Sequence, residues 1–193
     1  MLTKEFINQC LRYDNGKLFW LARPLSHFKG SRDCKAWNTR YSNKEAGGQA
    51  PKRGGDRWTI KLNDTEYYRS NIIYAYHYGW PKGKIDHINR NQLDDRIENL
   101  RIATPSQNCA NSSLGRNNTS GFKGVTWIKG AKMWRASITK DRKVRCLGMF
   151  ADPLSAHHAY VAAAKELFGD FANPAKALSL LAPSGEAGKG GEV

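Results

Sequence analysis

Asp86 and His87 are neighbours in the segment KIDHINRNQLDDRIENLRIATPSQNCANS, residues 84 to 112, and Asn108 lies near its end. An imidazole titrates near neutral pH, so His87 suits the removal of a proton from water. A carboxylate and an amide oxygen, Asp86 and Asn108, suit a single hard divalent ion. Together these are the parts that cleavage of a phosphodiester requires: an activated water, charge relief at the phosphate and stabilisation of the departing oxygen.

The hydrophobic pattern says what must position them. Ile85 and Ile88 mark one short strand, Leu100 and Ile102 another, and Pro105 opens a helix that carries Asn108. Adjacent residues of a strand point to opposite faces, so Asp86 and His87 share a site only if the strand bends or ends there. The loop from Asn89 to Asp95 follows at once and gives room for that bend.

The segment resembles the HNH nucleases, in the version whose three signature positions read His, Asn, Asn, found in phage homing endonucleases. That pattern, D-H-I-N-x-N followed by D-N-R-x-x-N-L-R-x-A-T-x-x-Q-N, is met here by DHINRN, DDRIENLRIAT and SQN. The resemblance implies that His87 is the general base and that Asp86 and Asn108 are metal ligands. It implies that Asn99 is the middle asparagine, which braces the histidine's loop through hydrogen bonds. Arg96 and Arg101 hold phosphate or structure, and the sequence does not separate the two. One departure is visible: D-N-R reads Asp94-Asp95-Arg96, and the extra carboxylate, lying in a variable loop, is given no part in catalysis.

Upstream, LTKEFINQCLRY reads as a helix, Asp14-Asn15-Gly16 as a turn, and KLFWL as a strand. Residues 23 to 56, rich in Gly, Lys, Arg, Ser and Asn, read as loop. Trp58, Ile60 and Leu62 alternate with polar residues as in a half-buried strand. Asn63-Asp64 turns the chain into TEYYR, and Ser70 reads as the N-cap of a helix through NIIYAYHY, ended by Gly79 and Pro81. The order of these elements, with G-x-L-x-W and a final G-W-P, also resembles the phage enzymes. Those often have a His-Arg pair at the helix start, where this chain has Ser70-Asn71.

The chain has 193 residues, enough for one or two domains, and 31 basic against 17 acidic side chains give a net charge of +14. That surplus points to a polyanionic partner. No apolar run approaches the roughly 18 residues that span a bilayer, and MLTKEFINQC lacks a signal peptide's apolar core. Nucleic acid is therefore the better reading of the charge, and the resemblance to nucleases implies double-stranded DNA as the partner, with no membrane, a cytoplasmic location (of a bacterial host, if phage-encoded) and a monomer assumed. Cys10, Cys34, Cys109 and Cys146 share no C-x-x-C spacing, so reduced thiols and no structural zinc are expected. The expected cofactor is a divalent metal, Mg²⁺ or else Mn²⁺.

After a polar linker, FKGVTWI, MWRASITK and KVRCLGMF read as three strands, followed by a helix from Pro153 to Phe168, capped by Asp152 and stopped by Gly169. His157 and His158 are placed at that helix's surface. Trp134, Ala136 and Ile138 share the strand face towards the helix, leaving Arg135, Ser137 and Thr139 on the other. Lys123, Arg135, Lys140, Arg142, Lys143 and Arg145 are the expected DNA contacts. SGFKGVTW, MWRASI, LGMF and the alanine-rich helix resemble the Apetala-type DNA-binding domain of plant ethylene-response factors, which implies docking of the sheet in the major groove.

The expected fold class is α+β. An HNH nuclease domain at 1–113, with a ββα-metal motif at about 84–112, is followed by a linker at 114–121. A three-stranded antiparallel sheet packed on one helix fills 122–175, and 183–193 is a disordered tail. The expected function is metal-dependent cleavage of DNA, as in a phage homing endonuclease. The rivals are a DNA-binding regulator with an inactive nuclease fold and a structural or RNA-binding accessory protein.

Overall fold

The computed structural model describes residues 2–52, 55–115 and 117–173. The expected tail at 183–193 lies outside the described residues, as do Arg116 and residues 174 and 175. The chain divides into two compact units, Met1–Thr104 and Pro105–Val193, each mixing helices with small antiparallel sheets. The division falls ahead of the expected linker, so the helix carrying Asn108 is counted with the second unit.

In the first unit, α1 (Lys4–Cys10) is capped by Thr3, whose hydroxyl accepts from the Phe6 N–H. The helix is shorter than the stretch to Tyr13 read from the sequence. Leu11, fully buried, is instead paired with Trp20 in a hairpin of β1 (Leu11–Asp14) and β2 (Lys17–Trp20). Asn15 and Gly16 turn that hairpin with φ of 42° and 82°. A positive φ at both central residues matches the right-handed twist of paired strands. A Cβ on Gly16 would lie 2.8 Å from the backbone nitrogen of Arg96, so the hairpin tip rests directly on the loop after His87.

Residues 23 to 56 are not simply loop. They contain α2 (Ser31–Tyr41) and β3 (Gly48–Lys52), a correction with a clear cause. No residue of α2 is fully buried, and its apolar inward face is only Cys34, Trp37 and Tyr41, half-buried at three- and four-residue steps in an otherwise polar stretch. It is held by an aromatic cluster, with Trp37 packed at 5.1 Å from Trp20, 5.8 Å from Phe28 and 5.2 Å from Tyr41. The Asn38 amide also bonds both backbone polar groups of Arg23, at 2.9 Å each.

Strands β3, β4 (Gly55–Leu62) and β5 (Thr65–Tyr68) form a meander that runs into α3 (Arg69–Tyr78). Ser70 is not the cap. The helix begins at Arg69, two residues earlier than a Ser70 cap would place it, with Tyr68 in the cap position and Ser70 buried in the first turn. Gly79, at φ 85°, ends it with its N–H on the Ala75 carbonyl. Ile7, Leu18, Ile60, Leu62, Ile72 and Ile73 fill the core, together with Leu100. Each such buried side chain is worth roughly 1.5–3 kcal/mol. Leu100 belongs to β7 (Leu100–Ala103), which pairs antiparallel with β6 (Lys84–His87), and so the core fixes the strand that carries His87.

The second unit begins with α4 (Pro105–Asn111). Its sheet is β8 (Val125–Ile128), β9 (Met133–Lys140) and β10 (Lys143–Phe150), with β9 in the middle. Helix α5 (Pro153–Phe168) covers one face, capped by the Asp152 carboxylate on the Ser155 N–H at 2.8 Å and stopped at Gly169. Ala156, Ala163 and Ala164 let the helix lie close to Ala136 and Ile138 of β9. His158 is exposed as expected, but His157 is 1% exposed and its ring sits 5.0 Å from Phe122. Burial holds its imidazole below the ordinary range. The correction follows from the width of the buried stripe, which takes in position 157 beside 156 and 160.

The close approach at Gly16 yields the first prediction. Gly16→Ala should destabilise the protein by about 1–3 kcal/mol, because a side chain at positive φ is strained and its Cβ meets backbone. Urea unfolding measures this, and a variant as stable as the parent would remove the hairpin tip as a support of the loop.

Candidate active site

Strand register sets the geometry at the motif. Asp86 stands opposite Arg101 and His87 opposite Leu100. Asp86 is 5% exposed, and its Oδ2 accepts from the Arg101 Nε at 2.9 Å. The two adjacent side chains thus meet different partners, as strand alternation requires. Arg101 is therefore tied to a carboxylate through its Nε.

His87 lies at the last position of β6, and its Nε2 is 2.8 Å from the Oδ1 of Asp95. Asp95 is buried, and its other oxygen accepts from the Arg69 Nε at 2.8 Å. Arg69, itself 3% exposed, also reaches the Glu45 carboxylate at 3.0 Å and lies 4.2 Å over the Trp58 ring. A buried guanidinium is tolerated because two carboxylates and a ring face take the place of water. The sequence reading gave Asp95 no part in the site. The structure puts it against the imidazole, and that is a correction. Arg69 and Glu45 were missed altogether, because they come from the start of α3 and the segment beside β2, remote in sequence from His87.

Asn99 is buried at the end of a short 3₁₀ turn, Ile97–Asn99. Its Oδ1 accepts from the Asn89 N–H at 2.9 Å, while its Nδ2 donates to the Asn89 Oδ1 at 3.0 Å and the Asp94 carbonyl at 2.7 Å. The Ile88 N–H donates to the Asn99 carbonyl at 2.9 Å. One side chain thus ties the start of the loop to its end. Further along, Asn89 donates to Asp94 at 2.7 Å, and Arg96 grips both oxygens of Asp94 at 2.8 and 2.9 Å. Arg57 holds Gln92 at 2.7 Å, and the Tyr13 hydroxyl accepts from the Ile97 N–H at 3.1 Å. The chain leaving His87 is therefore fixed by bonds to other elements of the unit.

The Arg96 guanidinium, with help from Asn89, holds the Asp94 carboxyl down at about 2. A depressed folded-state value stabilises the fold at pH above the ordinary carboxylate range, and the contribution is lost as pH falls through the folded value. The stability advantage of the parent over Asp94→Asn should hold steady from about pH 5 to 7 and shrink between about 4 and 2. Paired urea titrations measure it, and an advantage independent of pH would contradict the ion pair.

Asp86 supplies a hard oxygen donor, and no cluster of three His, Cys, Asp or Glu side chains suited to a metal is present among the described residues. A divalent ion at Asp86 would draw the rest of its shell from further oxygen donors, as a hard cation does. Asn108 is half-buried on α4, in the second unit.

In that unit the expected DNA contacts fall into different places. Arg135 is exposed on the sheet face away from α5, between Thr126 and Met149 on its two neighbouring strands. Ser137 pairs with Cys146 and Thr139 with Val144 on the same face. Lys140, Arg142 and Lys143 are exposed around the turn between β9 and β10. Arg145 is exposed on the rung of Ile138, whose side chain is buried under α5. The half-buried Lys123 sends its ammonium to the carbonyls of Cys109, Ala110 and Ser112, at 2.9, 2.7 and 2.7 Å, at the C-terminal end of α4. Three acceptors match its three donors, and a cation there complements the helix dipole.

Residues 67–110 match the family model of the HNH endonucleases. The chain contains an HNH endonuclease domain. It covers β6, β7 and α4 together with Asp86, His87, Asp95, Asn99 and Asn108, and it crosses the division between the two units. The chain is similar to Protein 3.8 of Escherichia phage T7, at 47% identity over 64 residues, which is 33% of this chain and 53% of that protein. It is also similar to the Uncharacterized HNH endonuclease L560 of Acanthamoeba polyphaga mimivirus, at 37% identity over 92 residues, 48% of this chain and 46% of that one. The chain spans about half the length of the curated relatives it matches. No solved structure matches it.

Proposed function

We propose that the protein is a divalent-metal-dependent endonuclease that hydrolyses DNA phosphodiester bonds through His87. The observation that carries this reading is the imidazole held at the end of β6, inside the HNH domain, by a loop that Asn99 ties at both ends. With Nε2 against the Asp95 carboxylate, Nδ1 is the nitrogen that would take the proton from the attacking water. Asp86, orientated by Arg101, and Asn108 would hold the ion, which when bound relieves charge on the phosphate and on the departing oxygen. In this reading β6, β7 and α4 act as a ββα-metal motif.

The second unit would dock on double-stranded DNA, its three-stranded sheet packed on α5 being what supports the reading of an Apetala-type domain. The exposed cations Lys140, Arg142 and Lys143 would meet phosphates, with Arg135 at the centre of the open face. The role of Lys123 in this scheme is to hold α4, since its ammonium is committed to that helix. By its likeness to phage and viral proteins, homing or another phage DNA-processing task is the biological role, performed in the host cytoplasm. No helix among the described residues is long and apolar enough to cross a membrane.

Incubation of supercoiled plasmid with the protein and Mg²⁺ should give nicked or linear product, with chelator abolishing it. His87→Ala should lower the rate by about 100-fold or more, the usual share of a general base. Absence of any product, or a variant as active as the parent, overturns the reading.

Docking has its own test. Arg135→Glu and Lys143→Glu should each weaken duplex binding and lower the slope of log K against log salt, by about 0.9 for every phosphate no longer neutralised. Equilibrium binding at several salt concentrations measures this, and an unchanged slope would place the docking face elsewhere.

A further inference from the structure

We propose that Asp95 is the positioning residue of the His87 base, and that Arg69 makes a carboxylate, not an amide, obligatory at that position. The inference rests on the reading of His87 as the base, and it concerns which ring nitrogen carries the proton.

The argument is one of donors and acceptors. A guanidinium donates and never accepts, so the Asp95 oxygen facing the Arg69 Nε at 2.8 Å must accept. An ionised carboxylate also only accepts, so the imidazole nitrogen facing its other oxygen at 2.8 Å must carry the hydrogen. The Asp95 side chain is 2% exposed, and water is not at hand to relax either demand. The His87 tautomer is thereby set with hydrogen on Nε2 and the lone pair on Nδ1, where a proton from water has to go. Arg69 is held in turn by the Glu45 carboxylate at 3.0 Å and the Trp58 ring. Glu45 is placed by the neighbouring Ala46 N–H, which bonds the Leu18 carbonyl of β2 at 2.7 Å.

Asparagine has the same shape but only one acceptor for the two donors. If its oxygen faces Arg69, its NH₂ faces Nε2 and imposes the other tautomer, with hydrogen on Nδ1. If its oxygen faces His87, two donors oppose each other in a buried site, an arrangement that is strongly disfavoured when one of them is charged. The first arrangement is the one a buried arginine selects.

The test uses the full chain labelled with ¹⁵N at about pH 8, where an ordinary imidazole is neutral. Long-range proton–nitrogen correlation reads each histidine's tautomer, and His87 is identified by the signal that disappears in His87→Ala. The parent should show hydrogen on Nε2, Asp95→Asn should show it on Nδ1, and Asp95→Asn combined with Arg69→Met should return it to Nε2. On supercoiled plasmid with Mg²⁺, Asp95→Asn should lower kcat by about 100-fold with KM little changed, and the double variant should regain part of that loss. Hydrogen on Nδ1 in the parent overturns the proposal without recourse to any variant. So does an Asp95→Asn protein with the parent's tautomer or the parent's kcat. If the tautomers follow the expected order while the parent cuts no DNA, the positioning role stands and the nuclease reading falls.

Discussion

The Asp95 carboxylate lies out of water between an imidazole and a guanidinium, and much of the first unit is arranged around that buried anion. Its two oxygens face two donors from different parts of the chain, His87 at the end of β6 and Arg69 at the start of α3. A buried charge is costly unless its partners are already in place, so the elements that bring those partners are themselves constrained. The β1–β2 hairpin leans on the Asp95–Arg96 peptide through a glycine, and the segment after α2 sets Glu45 against Arg69. Leu100 ties β7 to the hydrophobic core, and β7 pairs with β6. Packing, hairpin geometry and the ion pairs all converge on the position of one ring.

The loop after His87 is held in a different way. It has little apolar burial of its own, and polar side chains bonded to backbone take the place of a core. Asn99 joins the two ends of the loop, Asn89 and Asn91 fold the intervening backbone, and Asp94 is clamped by Arg96. Such a loop is rigid while every bond is made, since removing any one partner leaves another polar group unsatisfied.

Helix α4 is short, seven residues, and is built into the second unit by contacts at both ends. Near its start, the Ser106 hydroxyl exchanges hydrogen bonds with Asp141 in the turn between β9 and β10, at 3.0 and 2.9 Å. At its end Lys123 collects three carbonyls, and Ala110 joins the core of Ile138, Tyr160 and Phe168. A helix of that length is not stable alone, so these contacts supply its order. The HNH domain therefore includes a helix whose packing comes from the unit with the basic turn.

How much was legible in the sequence depended on the range of the forces involved. The strands around Asp86-His87 and Leu100, the helix with Asn108 and the three strands and helix of the second unit follow from local alternation and capping, and all of them appear in the structure. The spacing of His87, Asn99 and Asn108 was likewise visible, because a motif is itself a local record. Helix α2 was hidden because an aromatic cluster drawn from separate elements holds it, and the burial of His157 was hidden by a packed face wider than the simple repeat. The role of Asp95 depends on Arg69 and Glu45, 26 and 50 positions away, and only the folded chain could bring those three charges together out of water. The sequence by itself determined which groups were present for the chemistry. The tertiary structure decided which of them holds the histidine, because a carboxylate acts on an imidazole through a contact distance that residue spacing does not encode.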